Sequence, residues 1–289
     1  MVRDIVRRLV FYAVTRVPRD VYNALRRALV EETNDIARTC LEFMVKNIEY
    51  AMRNKIPVCQ DTGVLYFDLV VGEDFPVKSK LKNIIYDVVR ELTLEGLLRP
   101  NAVHPFTNVN SGDNTGRFVP WIDYSLVEGS DLKVSVIVRG GGSEFVAKLY
   151  TIPPVKGLNA VRKAVLEAII DAGPKPCPPV IVGVGIGATA SIALKLAQKA
   201  LFRKIGVRHP DKRVAEFEEN LLHDINKLGI GVHGFGGKTT ALDVKVEYSH
   251  RHVALYSVGV VLSCWALRRA SAIIHGDGKV EYDGDEVWD

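Results

Sequence analysis

The first 55 residues carry the spaced hydrophobic pattern of amphipathic helices. In residues 1–18, MVRDIVRRLVFYAVTRVP, charged side chains interrupt the apolar positions at helical spacing. Between residues 21 and 55, apolar side chains recur every three to seven residues, which places them on one side of a helix. They are Leu25, Leu29, Ile36, Leu41, Met44 and Ile48. We therefore predict that residues 1–55 are mainly helical.

Beyond residue 55, short apolar segments rich in β-branched and aromatic residues alternate with helical patterns. The segment VLYFDLVVG (64–72) predicts a strand, and residues 79–98 predict a helix. Further predicted elements are a strand over 132–139, a strand, glycine turn and helix over 178–201, a helix over 215–229, a glycine turn and strand over 231–249, a short helix over 264–274 and a hairpin over 279–288. These elements predict one mixed α/β (α+β) domain over residues 1–289, with the helical part (1–55) packed on a mixed β-sheet region (56–289).

Composition narrows the class of protein. The chain has 289 residues, 47% hydrophobic and 25% charged, which is typical of a globular protein. Its net charge of +4 comes from interspersed Lys and Arg, so we predict a small acidic ligand and no nucleic acid. The longest apolar segment, residues 253–266, is shorter than the roughly 20 residues of a membrane helix, so we predict no membrane partner. Four widely spaced cysteines do not form a disulfide framework, which indicates a reducing cytoplasm.

Five segments combine glycines with polar side chains at the ends of apolar segments. They are PVCQDTG (57–63), NSGDNTG (110–116), RGGGSE (139–144), GVGIGATAS (183–191) and HGFGGKTT (233–240). Glycines let backbone amides approach a ligand closely, and consecutive amides form concavities for anions. Any one of these segments is equally explained by a tight turn. The second lies in an irregular stretch, residues 99–116, whose length is typical of a functional or disordered loop.

Two nucleotide motifs are excluded by their spacing. The glycines Gly183, Gly185 and Gly187 have one residue fewer than a dinucleotide fingerprint, and no acidic residue follows about twenty positions later. The Lys238-Thr239 pair resembles a P-loop, but Val232 occupies the position of its first glycine. We therefore predict neither a nicotinamide nor a nucleoside triphosphate site.

Three of the four cysteines lie where loops meet predicted regular structure. Cys59, Cys177 and Cys264 occupy such junctions, whereas Cys40 lies in a predicted helix. No C-x-x-C pair is present, which argues against structural zinc. Three thiolates can hold three irons of a [4Fe–4S] cluster and leave the fourth iron open as a Lewis acid. Spacing alone leaves open the alternative that these cysteines have no ligand.

The order of the motifs resembles a known family. PVCQDTG, RGGGSE, CPPVIVGVGIGATA, HGFGGKTTALDVKV and CWALRRA are similar to successive motifs of the class I (iron–sulfur) fumarate hydratase and L-tartrate dehydratase family. The resemblance runs from about residue 20 to 275 and identifies the chain with the alpha, cluster-binding subunit. It implies that the glycine-rich loops surround a [4Fe–4S] cluster held by Cys59, Cys177 and Cys264, and it gives Cys40 no role.

The resemblance also implies the residues that contact the substrate. Asp61 and His252 would be catalytic, with Asp61 carrying the proton of the substrate hydroxyl. Gln60, Arg99 and Gly142 would bind the substrate, with Arg99 and Gly142 contacting one of its carboxylates. Alternatives remain open: Gly140 or Gly141 can replace Gly142, His250 lies two residues from His252 on the same face of a predicted strand, and His233 either orients backbone or contacts substrate.

The implied reaction is the reversible hydration of fumarate to L-malate, with the cluster as Lewis acid. Because single-chain relatives have a second domain that this sequence lacks, we expect a separate beta subunit that completes the site, in an α2β2 assembly. Dehydration of L-tartrate or a related 2-hydroxy dicarboxylate is the alternative within the family. A non-catalytic iron–sulfur sensing protein and a dehydratase that uses zinc or no cluster are the alternatives outside it.

Overall fold

A computed structural model describes residues 1–283. It confirms a mixed α/β protein and divides the chain into two compact units. The first unit contains Met1–Arg19, Asn47–Gly140 and the chain from Ala266 onward, and the second contains Asp20–Lys46 and Gly141–Trp265. That residues 1–289 form a single domain stays a prediction.

The helices and strands follow one another in chain order. The helices are α1 (Val2–Thr15), α2 (Arg19–Glu31), α3 (Asp35–Asn54), α4 (Leu81–Leu94), α5 (Gly141–Glu144), α6 (Gly157–Ala172), α7 (Ala190–Ala200) and α8 (Lys212–Lys227). The strands are β1 (Val64–Gly72), β2 (Trp121–Val127), β3 (Leu132–Arg139), β4 (Lys148–Ile152), β5 (Val180–Gly187), β6 (Ala241–Tyr248), β7 (Tyr256–Ser263), β8 (Arg269–Ile274) and β9 (Val280–Tyr282).

The first unit is built on a five-stranded sheet in the order β2-β1-β3-β8-β9. Only β1 and β2 are parallel; the other neighbours are antiparallel. Alternate residues of β1, among them Phe67 and Leu69, are buried, as the period of two in a strand requires. Helix α1 packs against α4, β3 and β8 through an apolar stripe that includes Leu9 and Val10. Burial of each such side chain contributes about 1.5–3 kcal/mol before entropy is subtracted.

The second unit is built on a four-stranded sheet in the order β4-β7-β5-β6. Strand β5 is parallel to β6 and antiparallel to β7, and α7 packs on both β5 and β7. Its glycines make this packing possible, because a Cβ on Gly185 would lie 2.0 Å from the carbonyl oxygen of Ala193. Gly183 and Gly185 therefore stand inside a strand, whereas the sequence placed them in a glycine-rich loop. Close helix–strand contact explains them without a ligand.

Most of the predicted elements are present at the predicted positions. Helices fill most of residues 1–55, and no helix or strand lies in residues 99–116, which the structure describes completely. The predicted helix over 264–274 is wrong: β8 occupies its second half and pairs antiparallel with β3. The physical reason is a period of two, since Ala270, Ala272 and Ile274 are buried and the residues between them less so.

Several elements were not predicted, and one predicted element extends beyond the described residues. Sequence reasoning did not predict α5, α6, β2, β4 or β7. The hairpin predicted over 279–288 begins with β9, but its remaining part, residues 284–289, lies outside the described residues. No helix within residues 1–283 has both the length and the apolar character to cross a bilayer.

Candidate active site

The segment PVCQDTG forms a loop before β1 in the first unit. Thr62, 1% exposed, accepts a hydrogen bond from the main-chain N–H of Arg99 (2.8 Å), and the side chain of Asn101 donates to the carbonyl of Gly63 (3.0 Å). Gly63 has φ +63°, and a Cβ there would lie 2.5 Å from the carbonyl oxygen of Arg139. Only glycine satisfies both the left-handed backbone and this close approach. The loop is therefore fixed at its Thr62-Gly63 end.

Two guanidinium groups donate to consecutive carbonyls of the same loop. Nη1 of Arg99 lies 3.4 Å from the carbonyl of Gln60, and Nη2 of Arg268 lies 2.9 Å from the carbonyl of Asp61. The Asp61 carboxylate accepts a hydrogen bond from the main-chain N–H of Gly63 through Oδ1 (2.9 Å). Its other oxygen lies toward Gly140, where a Cβ would approach to 3.0 Å. The first unit thus brings Gln60, Asp61 and Arg99 together. Their roles toward a substrate stay predictions.

Arg268 contacts the candidate site, and the sequence reasoning did not identify it. It belongs to the CWALRRA motif, but a buried arginine cannot be told from an exposed one by that motif alone. It is 2% exposed in the structure. Only the fold of residues 264–269 carries its side chain to the Asp61 loop, and that stretch was predicted as a helix.

Four of the predicted motifs meet in the second unit through main-chain hydrogen bonds. The N–H of Trp265 donates to the carbonyl of Cys177 (3.2 Å), and the N–H of Cys264 donates to the Ser143 hydroxyl (3.2 Å). The N–H of His233 donates to the carbonyl of Pro178 (2.9 Å). The structure therefore brings the Cys177 and Cys264 segments together and ties RGGGSE and HGFGGKTT to them.

A buried carboxylate that the sequence reasoning also missed holds the HGFGGKTT loop. Glu32, 4% exposed, accepts main-chain hydrogen bonds from Thr33 and Asn34 through Oε1 and from Lys238 through Oε2 (2.8, 2.9 and 2.9 Å). Gly237 has φ +98°, and a Cβ there would lie 2.6 Å from Oε2. A pairing of residues 206 positions apart leaves no local signal in the sequence.

The two candidate histidines of residues 249–255 are exposed and lie outside any strand. Strand β6 ends at Tyr248, so the prediction that His250 and His252 share a strand face is wrong. The backbone turns there, and Nδ1 of His252 accepts a hydrogen bond from the N–H of Ala254 (3.1 Å). Because Nδ1 is engaged as an acceptor, Nε2 is the ring nitrogen left to contact another group. This contact of His252 is local.

His233 and Gly142 act mainly through their backbones in this structure. His233 has the left-handed φ of +51°, and partial desolvation lowers the pKa of its ring below the ordinary value. Gly142 lies in the first turn of α5, where amide N–H groups have no acceptor within the helix. A Cβ on Gly142 would lie 3.0 Å from the carbonyl oxygen of Lys175. The structure does not choose among Gly140, Gly141 and Gly142 as a substrate contact.

None of the four cysteines is fully buried. No disulfide links the four cysteines, all of which lie in the described part of the chain; Cys177 is exposed, while Cys59, Cys264 and Cys40 are half-buried. Cys59 belongs to the first unit and Cys177 and Cys264 to the second. Among residues 1–283, no three His, Cys, Asp or Glu side chains are grouped to hold a single metal ion. A cluster takes one thiolate per iron, so the donor set of three separate cysteines fits it chemically.

Comparison with known proteins gives the chain its family. The model described as "Fumarate hydratase (Fumerase)" matches residues 3–273. The "Putative L(+)-tartrate dehydratase subunit alpha" of Methanocaldococcus jannaschii is 42% identical over 284 residues, covering 96% of this chain and 99% of that protein. The "L(+)-tartrate dehydratase subunit alpha" of Escherichia coli O157:H7 is 38% identical over 264 residues, covering 91% and 87%. With the family model matching from Arg3 to Ile273, the chain belongs to the fumarate hydratase (Fumerase) family of hydro-lyases.

Proposed function

We propose that this chain is the cluster-binding alpha subunit of a hydro-lyase that adds water reversibly to fumarate, giving L-malate. The observation that supports this most is the held loop of the first unit, in which Asp61 is flanked by two arginine-bound carbonyls. Because the main chain on both sides of Asp61 is held, its carboxylate keeps one orientation, which suits it to proton transfer.

Cys59, Cys177 and Cys264 would hold the [4Fe–4S] cluster. When bound, the cluster supplies a Lewis acid for the hydroxyl and one carboxylate of the substrate. Cys59 directly precedes Gln60 and Asp61, so the proposed ligand and the proposed proton carrier belong to one rigid loop. Cys40, on α3, has no part in this assignment.

Residues of this chain would transfer one proton and bind the substrate. In hydration, Asp61 accepts one proton of the entering water; in dehydration it returns that proton to the departing hydroxyl. Arg99 is exposed and offers a planar fork of donors that matches a carboxylate, and Gln60 and Gly142 offer further donors. His252, whose Nδ1 is engaged by the N–H of Ala254, would donate to a substrate oxygen through Nε2.

One of the two proton transfers requires a partner subunit. Hydration of fumarate also adds a proton to the neighbouring carbon, and we assign that step to a separate beta subunit. The relatives are named as subunits alpha, which supports a two-subunit enzyme. We further propose an α2β2 assembly in the cytoplasm.

A second candidate substrate is L(+)-tartrate, which the names of the relatives favour. Its dehydration uses the same carboxylate contacts and the same loss of a hydroxyl. L(+)-Tartrate differs from L-malate by a second hydroxyl group. A pocket whose groups hydrogen-bond that hydroxyl would bind tartrate more tightly than malate.

The deciding experiment combines metal analysis with substrate choice. The chain is purified anaerobically with its partner subunit, and iron and sulfide are measured beside hydration of fumarate and dehydration of L-malate and L(+)-tartrate. We expect about four irons per alpha chain and the larger kcat/KM for fumarate. A larger kcat/KM for tartrate would replace fumarate by the second candidate. Zinc, or an iron-loaded complex that converts none of these acids, would contradict the proposed function.

A further inference from the structure

Arg268 stands where the sheet of the first unit reaches the Asp61 loop. It immediately precedes β8, and its carbonyl accepts a hydrogen bond from the N–H of Val138 on β3 (3.0 Å). The main chain of Arg268 is thus part of the β3–β8 pairing. Its side chain is buried, with 2% of the residue exposed. A rigid strand therefore holds the base of this arginine.

The side chain makes one hydrogen bond, and that bond goes to the loop. Nη2 donates to the carbonyl of Asp61 at 2.9 Å, while Nε and Nη1 are buried and have no hydrogen-bond partner within residues 1–283. The bond from Arg99 to the neighbouring carbonyl of Gln60 is longer, 3.4 Å, and comes from an exposed side chain. Because hydrogen bonds weaken with distance, Arg268 is the stronger of the two anchors.

We infer that Arg268 is a positioning residue, which fixes the main chain at Asp61 and so sets the place of its carboxylate relative to Cys59. This inference rests on the proposed function, in which Asp61 moves a proton and Cys59 holds iron. One rigid link then runs from β3 through Arg268 to the peptide group of Asp61. Loss of that link leaves the carboxylate present but misdirected, and misplacement of a reacting group is costly for the rate.

The proposed function also accounts for the buried positive charge of Arg268. Its Nε and Nη1 are buried without a hydrogen-bond partner among residues 1–283, and burying a cation with unmade hydrogen bonds is unfavourable. In the proposed reaction, thiolates and a dicarboxylate bring negative charge to the loop that Arg268 holds. A positive charge beneath the loop would stabilise that arrangement.

Two variants separate the hydrogen bond from the charge. Arg268→Lys keeps the charge but loses the planar fork, and Arg268→Gln keeps one amide donor but loses the charge. The matched control is Val134→Ala, a cavity variant on β3 in the core of the same unit, where Val134 is 1% exposed. It should lower stability without removing a hydrogen bond of the loop.

The first readout needs no activity. Hydrogen–deuterium exchange of the iron-free full chain is measured for residues 59–63, with α4 as the internal reference. We expect both Arg268 variants to speed exchange of residues 59–63 by about tenfold or more while α4 changes little, because local opening becomes easier. Val134→Ala should not single out this loop. Unchanged exchange in the Arg268 variants overturns the inference whatever the activity.

The second readout is kinetic, on the complex with the partner subunit and corrected for iron content. We expect kcat to fall about tenfold in Arg268→Lys and about a hundredfold in Arg268→Gln, with KM changing less than about threefold in Arg268→Lys. Full kcat in both variants, or a rise in KM alone, overturns the positioning role. If the unchanged complex itself converts no dicarboxylate, the proposed function fails, and the exchange result still shows whether Arg268 anchors the loop.

Discussion

Three of the four cysteines differ from the fourth in their surroundings. Cys59, Cys177 and Cys264 lie in or beside glycine-rich segments tied down by main-chain hydrogen bonds, whereas Cys40 lies on α3. The thiol group alone does not distinguish them. A cluster ligand requires an accessible thiolate. That these three cysteines are the ligands stays a prediction.

We predict that Cys59→Ala, Cys177→Ala and Cys264→Ala each abolish the visible absorbance of the cluster, because each removes the only protein ligand of one iron. Cys40→Ala is the matched control and should retain both iron and absorbance. The measurement is iron and sulfide content with the visible spectrum after anaerobic purification. Any of the first three variants with an unchanged spectrum would be removed from the ligand set.

Arg99 combines a buried main-chain contact with an exposed side chain. Its N–H donates to the hydroxyl of Thr62, and its guanidinium lies 3.4 Å from the carbonyl of Gln60. The side chain can therefore turn toward a substrate without loss of the loop.

We predict that Arg99→Lys raises the KM for the dicarboxylate about thirtyfold, because a bidentate pair is replaced by a single donor at a cost of about 2 kcal/mol. The cluster content should remain that of the unchanged chain. The control is Arg90→Lys, on α4, whose guanidinium pairs with Asp87 and Asp113 on the surface. Steady-state kinetics test this, and an unaltered KM in Arg99→Lys would place Arg99 outside the pocket.

At the scale of elements, the glycine-rich segments divide into two kinds. The glycines of β5 let α7 approach the sheet, whereas Gly63 and Gly237 let the loops PVCQDTG and HGFGGKTT pack against a carbonyl and a carboxylate. Composition could not separate these cases, because both need a residue without a side chain. The difference lies in what stands opposite each glycine, and that neighbour is distant in sequence.

We predict that Glu32→Gln loosens the HGFGGKTT loop, because the amide nitrogen of Gln cannot accept the hydrogen bond from Lys238. A buried N–H left without an acceptor costs about 1–3 kcal/mol, so thermal stability of the iron-free chain should fall by several degrees. Glu31→Gln is the control, because only the main-chain carbonyl of that residue binds Lys238. Equal melting temperatures for both variants would contradict the role of Glu32.

Features that depend on local sequence patterns could be predicted, whereas contacts between residues distant in sequence could not. Helices α1 and α3 and strands β1 and β3 follow from local periodicity, and the Asp61 and Arg99 assignments follow from motifs. Glu32 and Arg268 could not be found, because each acts on a loop about 206 or 207 positions away. Strand β8 was mistaken for a helix since its short run, RASAII, contains alanines that suit either structure.

At the scale of the whole molecule, the predicted ligands are shared between the two units. The first unit contains Cys59, Asp61 and Arg99, and the second contains Cys177, Cys264 and His252. The family match extends across both units, from residue 3 to residue 273. Neither unit alone therefore has the complete set of proposed groups, and the full chain is the smallest piece that can be tested.

We predict that the iron-loaded chain without its partner binds dicarboxylates but does not hydrate them. The alpha chain has a proposed acid–base group for the hydroxyl, Asp61, whereas the proton on carbon is assigned to the beta subunit. Addition of the dicarboxylate should change the EPR spectrum of the reduced cluster, because a ligand reaches the open iron. Turnover should appear only when the beta subunit is added and should saturate at equal amounts of the two chains.

Asp61→Asn gives the control for this experiment. With the partner present it should hold the cluster and show the spectral change, yet remain slow by about a hundredfold or more, because the amide cannot accept a proton from water. The unsubstituted alpha chain without its partner and the Asp61→Asn complex with its partner then test the two proton steps separately. Full hydration by the alpha chain alone would contradict the division of the reaction between two subunits, since both protons would then be handled by residues of this one chain.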